Sequence, residues 1–198
     1  MVDRAVADRI GARALRPGRL LVANPLLPDP NFDRTVVLLL AYGDEGALGV
    51  VLNRPSETEV GRPLDRWEEL AARPAVLFVG GPVQHQAVIC LARPDRPVPT
   101  DAMEGFKAVT PEVGTLDLDL DPGLLAGQFR QVRIFAGYAG WSAGQLENEI
   151  EAGAWWVVDG DAEDPFSVDP DNLWKHVLRR QRAPLAFVAY YPEDPADN

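Results

Sequence analysis

Cysteine and histidine are scarce in this sequence, which limits the chemistry that the chain can carry. The single cysteine, Cys90, excludes a disulfide within the chain, and its place in the apolar run at 87–92 predicts a buried thiol. The two histidines, His85 and His176, form no recognised zinc-ligand spacing with Cys90. We therefore predict no metal site and no cofactor, and we interpret the acidic residues at 147–161 as a solvated face.

The sequence also lacks long hydrophobic runs. The longest strongly apolar runs, such as 36–41, are far shorter than the roughly 20 residues that a membrane-spanning helix needs. The first 16 residues mix charged residues with alanines and contain no hydrophobic signal core. A cytoplasmic protein without a membrane partner is the simplest prediction.

Basic residues are in the minority, since 30 acidic residues face 19 basic ones and the formal net charge is −11. Such a charge repels polyanions, so nucleic-acid binding would need a locally segregated basic face. The sequence has one concentrated basic element, formed by Lys175, Arg179, Arg180 and Arg182. These charges also suit the C-terminal end of a helix. Direct nucleic-acid binding is therefore disfavoured.

The apolar residues that are present predict an α/β protein of the α+β type. Strands and hairpins dominate the first half, including a hairpin with a four-residue loop at 43–46, and strands alternate with helices in the second. The predicted strands cover 19–23, 35–42, 47–53, 76–79, 87–92, 106–109, 115–120, 131–136, 154–158 and 185–191. The predicted helices are short and cover 64–72, a turn from Pro122 onwards, and 169–181. This order indicates a mixed, largely antiparallel sheet with flanking helices.

Prolines and glycines suggest the domain organisation. Pro17 and Gly18 end a loosely ordered N-terminal arm at 1–17. Residues 18–198 are predicted to form a single compact domain. The three prolines at 93–99 mark a candidate boundary for a second lobe at about 94–130.

The densest local signals lie at 137–150. Alternation at 131–136 predicts a strand, and the glycines that follow predict a tight turn. Ser142 and Gln145 have the spacing of a capping box, which predicts that a helix begins at Ser142. Gly153 is the predicted end of that helix, because glycine tolerates the left-handed conformation there.

Three chemical roles compete for this stretch. Gly140 to Gly144 fits G-x-S-x-G, the nucleophile elbow of α/β hydrolases, and either Asp159 or Asp169, together with His176, could complete a triad with Ser142. A histidine inside a predicted helix argues against that triad, and capping already explains Ser142. Glycine turns beside a helix start could instead bind an anion, with Arg54 as a nearby cation. The glycines could also simply permit tight packing.

The chain strongly resembles the AlgH/YqgE family of bacterial proteins over nearly all of 18–180. The resemblance rests on G-R-L-L-V-A-N-P, F-D-R-T-V-V-L-L, G-A-L-G-V-V-L-N-R-P, G-G-P-V, G-Y-A-G-W-S-A-G-Q-L-E and D-P-D-N-L-W, in that order. It implies a bifurcated or pseudo-barrel sheet with flanking helices, and a label of transcriptional regulator without established catalytic residues. Tyr42 departs from the pattern, because relatives usually have histidine there.

These observations lead to a non-enzymatic protein that acts on transcription indirectly, through a small ligand or a protein partner. The predicted ligand-binding residues are Asn53, Arg54, Gly80, Gly81, Tyr138, Trp141 and Ser142. A serine hydrolase with Ser142, Asp159 and His176 is one alternative, and a direct DNA-binding regulator is another. The sequence does not indicate an oligomeric state.

Overall fold

The computed structural model describes residues 15–97, 103–125 and 127–192. Within these ranges the chain forms ten strands and two α-helices. The strands are β1 (Arg19–Ala23), β2 (Val36–Gly43), β3 (Gly46–Val51), β4 (Pro55–Glu59), β5 (Val76–Val79), β6 (Val83–Pro94), β7 (Phe106–Thr110), β8 (Val113–Leu116), β9 (Phe129–Ser142) and β10 (Trp155–Asp159). The helices are α1 (Gln145–Glu151) and α2 (Leu173–Arg179). The predicted N-terminal arm lies outside the described residues as far as residue 14.

The strands form one curled sheet in the order β10-β1-β2-β3-β9-β6-β8-β7, and β4 and β5 branch from β9. The pairing of β5 with β9 is parallel, whereas the other strand pairs are antiparallel. Phe135 and Ala136 of β9 pair with β5, and residues 139–142 pair with β3. The sheet therefore bifurcates along β9, which confirms the predicted mixed, largely antiparallel fold.

Glycines allow the backbones to approach closely at this branch point. A Cβ atom on Gly80 would lie 2.3 Å from the carbonyl oxygen of Gly137, and one on Gly46 would lie 2.1 Å from that of Trp141. Gly137 has φ of +74°, a conformation that glycine adopts readily. Contrary to the predictions, the strand does not end at residue 136 and no helix begins at Ser142. Strand β9 continues through the glycines, and α1 begins at Gln145 after Gly144.

Three clusters of buried side chains form the core. The first contains Trp174, Val177 and Leu178 of α2 packed on the sheet, and the second contains Trp141 and Trp155. The third lies beneath β6, β7, β8 and β9 and includes Cys90, which is 2% exposed. Cys90 is therefore a core thiol, as predicted. The proposed second lobe at about 94–130 stays a prediction.

The predicted final strand at 185–191 is wrong. Leu185–Tyr190 is a 3₁₀ helix in which the amide of Phe187 donates to the carbonyl of Pro184. Its side chains follow a period of three instead of two, since Leu185 and Val188 pack against the first cluster while Phe187 and Tyr190 face solvent. The apolar composition of the segment indicated burial correctly, but it did not reveal the local hydrogen bonds.

Smaller differences have similar local causes. The predicted four-residue hairpin loop is a two-residue turn, because Gly43 and Gly46 pair with each other. The helices predicted at 64–72 and from Pro122 are 3₁₀ helices at Asp65–Leu70 and Pro122–Leu125. The helix predicted at 169–181 divides into a 3₁₀ turn and α2. The sequence analysis missed β4, which is polar and opens with a proline.

None of the helices in the described ranges is long and apolar enough to cross a membrane. The two α-helices have seven residues each, which corresponds to about 10 Å along the helix axis.

Candidate functional site

The corner between β9 and α1 holds the G-x-S-x-G motif and a hydrogen-bonded carboxylate. Glu149 accepts hydrogen bonds from the indole Nε1 of Trp141 at 2.9 Å and of Trp155 at 2.8 Å. The side-chain amide of Gln145 donates to its other oxygen at 2.9 Å. Glu149 therefore ties α1 to both β9 and β10.

Three aromatic rings pack beside this carboxylate. The ring centroids of Phe32 and Trp155 lie 5.2 Å apart, and those of Trp141 and Trp155 lie 6.0 Å apart with nearly perpendicular planes. Edge-to-face contacts of this kind stabilise aromatic clusters. Trp141 is only 6% exposed, so its ring faces the second core cluster and its indole N–H is bonded to Glu149.

Tyr42 extends the same corner towards the β2–β3 turn. Its hydroxyl donates to Oε1 of Glu147 at 2.6 Å. The hydrogen bond to Glu147, burial and the negative charges of Glu147 and Asp44 raise the pKa of Tyr42. The phenol therefore stays protonated at neutral pH and acts as a hydrogen-bond donor.

Ser142 is exposed at the end of β9, and within the described ranges no base forms a hydrogen bond with its hydroxyl. Its amide donates to Oε1 of Gln145 at 3.1 Å, which is one half of the predicted capping box. Its hydroxyl lies 3.2 Å from the same oxygen instead of bonding the Gln145 amide. The hydroxyl therefore contacts a neutral amide, which cannot serve as a general base.

The structure does not bring the three candidate triad residues together. Asp159 is the last residue of β10, and β1, β2 and β3 lie between β10 and β9 in the order of the sheet. Its carboxylate pairs with Arg19. His176 lies on α2, with Nε2 4.0 Å from Oδ2 of Asp169. The Ser142 hydroxyl contacts Gln145, whereas Asp159 pairs with Arg19 and His176 lies beside Asp169, so these contacts do not form the triad that a hydrolase would need.

Most of the predicted ligand-binding residues meet at the junction of β3, β5 and β9. The carbonyl of Gly80 accepts the amide of Val51, and the carbonyl of Arg54 accepts that of Val79. A Cβ atom on Gly81 would lie 2.3 Å from the carbonyl carbon of Tyr138. Trp141 and Ser142 lie further along β9, beside β3.

The polar groups at this junction are bonded to the backbone. Asn53 is 2% exposed, its Oδ1 accepts the amide of Val36 at 2.9 Å, and its Nδ2 donates to the carbonyl of Arg34 at 2.9 Å. Arg54 donates to the carbonyl of Asp33. These contacts hold the loop before β2 against the end of β3. Ligand binding by these residues stays a prediction.

A second surface, which the sequence analysis missed, lies at the C-terminal end of α2. It consists of Arg179, Arg182, Phe187 and Tyr190, and we call it the aromatic–arginine surface. Phe187 is 69% exposed and Tyr190 is 71% exposed. The guanidinium carbon of Arg179 lies 5.7 Å from the centroid of the Tyr190 ring. The three-residue spacing of Phe187 and Tyr190 after Pro184 was the signal that could have revealed their shared face.

The structure divides the basic element that the sequence analysis noted. Arg180 binds the buried carboxylate of Asp164 through both terminal nitrogens, one of them at 2.7 Å, and this pairing raises the pKa of Arg180. Arg179 and Arg182 face solvent instead. The four basic residues therefore do not form one uniform face. In the described ranges, no group of three His, Cys, Asp or Glu side chains is arranged to hold a metal ion.

Comparison with known proteins agrees with the motifs. The family described as AlgH-like matches residues 20–186. A UPF0301 protein of Thermobifida fusca is 53% identical over 187 residues, covering 91% of this chain and 94% of that protein. The crystal structure of protein DIP2367 from Corynebacterium diphtheriae has a TM-score of 0.89 at 27% identity, covering 96% and 100% of the two chains. The solution structure of the AlgH protein from Pseudomonas aeruginosa has a TM-score of 0.65 at 27% identity, covering 89% and 94%.

Proposed function

The chain belongs to the AlgH-like family of bacterial proteins, and we propose that it is a non-enzymatic cytoplasmic regulator that acts on transcription through a protein partner. The observation that carries this proposal is the outward-facing pair of aromatic rings, Phe187 and Tyr190. Tyrosine, tryptophan and phenylalanine are enriched at protein interfaces relative to the rest of the surface.

The exposed area is large enough to matter for binding. An aromatic side chain buries about 150–250 Å² when it is covered, so two rings at about 70% exposure leave roughly 200–350 Å² of mostly apolar surface. Covering that area would contribute on the order of 5–9 kcal/mol before the entropic cost of association. The surface is thus suited to anchor a modest protein interface.

Charge favours a protein partner over operator DNA. The net charge is −11, and Arg180 is already bonded to Asp164. The aromatic–arginine surface itself contributes Arg179 and Arg182, which would neutralise only about two phosphates. DNA-binding domains usually present many more cations to the duplex.

The proposal is tested in the native host by comparing transcripts in a strain that lacks the protein with those in complemented strains. We expect the wild type to restore the transcript pattern and the double variant Phe187→Ser/Tyr190→Ser to fail. Leu124→Ser is the matched control, because Leu124 is 78% exposed on a different helix and should behave as wild type.

A photoreactive phenylalanine analogue at position 187 provides the physical readout. We expect it to crosslink to a protein whose adduct disappears when Tyr190 is also changed to serine. The proposal fails if the folded double variant restores the transcripts as well as the wild type does. It also fails if loss of the protein leaves transcription unchanged.

A further inference from the structure

The two arginines of the aromatic–arginine surface differ from those arginines of the described ranges that pair with a carboxylate or donate to a backbone carbonyl, such as Arg180 and Arg133. Among the described residues, neither Arg179 nor Arg182 has a carboxylate partner, and the contact of the Arg179 guanidinium is with the Tyr190 ring. Carboxylates are abundant in this chain, which has 30 acidic residues. The Arg179 guanidinium beside the exposed Tyr190 ring, with the exposed residues Arg182 and Phe187 in the same segment, is therefore an unusual combination here.

Other arginines in the chain show the contrast. Arg19 pairs with Asp159, Arg93 with Glu163, Arg66 with Asp121 and Arg180 with Asp164. These pairs connect separate parts of the fold. Their guanidinium groups are consequently occupied, whereas the planar donors of Arg179 and Arg182 remain accessible to a carboxylate from outside.

We infer that the aromatic–arginine surface binds an acidic segment of the partner protein. An apolar side chain of that segment would cover Phe187 and Tyr190, while neighbouring carboxylates would accept hydrogen bonds from Arg179 and Arg182. Guanidinium groups suit this role because their planar donors match both oxygens of a carboxylate. The inference rests on the proposed function, since it names the chemistry of the partner at the same surface.

The position of Arg179 supports this inference. Its guanidinium lies over the Tyr190 ring, a contact that restrains a side chain with several rotatable bonds. A restrained arginine loses less conformational entropy when it binds a carboxylate. The apolar and cationic parts of the surface are thus held next to each other before a partner arrives.

A nucleic acid fits these observations less well than an acidic segment does. A nucleic acid would bring one negative charge per nucleotide towards a protein of net charge −11. The aromatic–arginine surface offers only two arginines to offset the repulsion. A short acidic segment needs two carboxylates and one apolar residue. The salt dependence of nucleic-acid binding also has a known form, because each phosphate contact steepens the fall of the binding constant with salt concentration.

The experiment measures binding of defined probes to the full-length protein by fluorescence anisotropy at about 50 mM salt. The main probe is a labelled 12-residue peptide in which glutamates flank a central Leu-Phe pair. The same peptide with glutamine at each glutamate, and a single-stranded oligothymidylate of 12 nucleotides, are the comparison probes. We expect the glutamate peptide to bind at least tenfold more tightly than either.

Charge reversal then tests the two arginines. We expect Arg179→Glu/Arg182→Glu to weaken binding of the glutamate peptide at least tenfold. Arg62→Glu/Arg96→Glu changes the net charge equally at exposed positions elsewhere and should change binding less than twofold. Circular dichroism and thermal unfolding of both variants confirm that the fold is retained.

Several results would overturn the inference. No binding at 1 mM peptide, equal binding of the glutamine peptide, tighter binding of the oligothymidylate, or equal losses in the two charge-reversed variants would each do so. Deletion of residues 193–198, which carry three acidic residues, tests the chain's own C-terminus as the occupant. If the deletion raises the affinity for the glutamate peptide more than threefold, the chain's own C-terminus occupies the surface, and that result would also contradict the inference.

The inference and the proposed function can fail separately. If Phe187→Ser/Tyr190→Ser abolishes the transcript effect while Arg179→Glu/Arg182→Glu preserves it, a partner binds but its acidity does not matter. If neither variant changes the transcripts, the proposed function itself is wrong.

Discussion

Replacing Arg133 by methionine should destabilise the protein and loosen the segment before α2, whose carbonyls at Pro165 and Ser167 accept hydrogen bonds from Arg133. Arg133 lies on β9, is 2% exposed and has no carboxylate partner among the described residues. Its Nη1 donates to the carbonyls of Ser167 at 2.9 Å and Pro165 at 3.3 Å, and its Nη2 donates to that of Arg73 at 2.6 Å. Burial lowers the pKa of Arg133 to about 10, so the guanidinium is still charged at neutral pH.

The expected loss follows from two opposing effects. Three hydrogen bonds from a charged donor stabilise the fold by about 1.5–3 kcal/mol each, and the guanidinium also lies 4.3 Å from the Phe78 ring centroid. Burying the charge costs several kcal/mol, which methionine avoids. We therefore expect Arg133→Met to lower the free energy of unfolding by about 3 kcal/mol. For a domain of this size that corresponds to a decrease in Tm of about 6–12 °C.

Urea unfolding monitored by tryptophan fluorescence measures this loss, because the chain has five tryptophans. Arg130→Met is the matched control. Arg130 lies on the same strand but is exposed and pairs with Asp95 at the surface, so its loss should cost less than about 1 kcal/mol. If Arg133→Met and Arg130→Met lower the unfolding free energy equally, the argument from the three carbonyls is refuted.

Three further predictions concern the core and the β9–α1 corner. Burial raises the pKa of Cys90, so the native thiol should resist a disulfide reagent at pH 8 and react fully in urea; fast native labelling would contradict this. Glu149→Ala removes the acceptor of two indole N–H groups and should cost about 2–3 kcal/mol with a shift of tryptophan emission, unlike Glu151→Ala. A fluorophosphonate probe should leave Ser142 unlabelled, and Ser142-dependent labelling would instead favour a hydrolase.

The sequence predicted the sheet well where apolar runs are long. Strands β2 and β3 are covered on both faces, so Val36 to Leu39 and Val50 to Val51 form continuous apolar runs that indicate central strands. The hairpin between them was also confirmed. The sequence did not reveal β4, because an edge strand of polar residues lacks the alternation that marks a half-buried strand.

The candidate site was harder to predict because its residues act through contacts that are distant in sequence. Nothing near Asn53 indicates that its amide would bond the backbone at residues 34 and 36. Arg180 belongs to a basic run in the sequence, yet its pairing with Asp164 removes it from that run. Phe187 and Tyr190 lie in an apolar run that resembles a strand. Residues three apart lie on opposite faces of a strand but on the same face of a 3₁₀ helix, so their shared face follows only from the helix.

The motif at 137–144 shows why density of sequence signals is a poor guide to function in this fold. Strand β9 pairs with β3, β5 and β6, so its backbone must lie close to several neighbours at once. A Cβ atom on Gly46, Gly80 or Gly81 would overlap β9 backbone atoms, which requires glycine wherever these segments cross. Within the motif, Gly137 has a positive φ and lies close to the Gly81 carbonyl, and Gly144 has a positive φ before α1, so backbone geometry explains both glycines without a bound ligand. A binding surface such as that of Phe187 and Tyr190 needs only a few exposed side chains, so it leaves a much weaker pattern in the sequence.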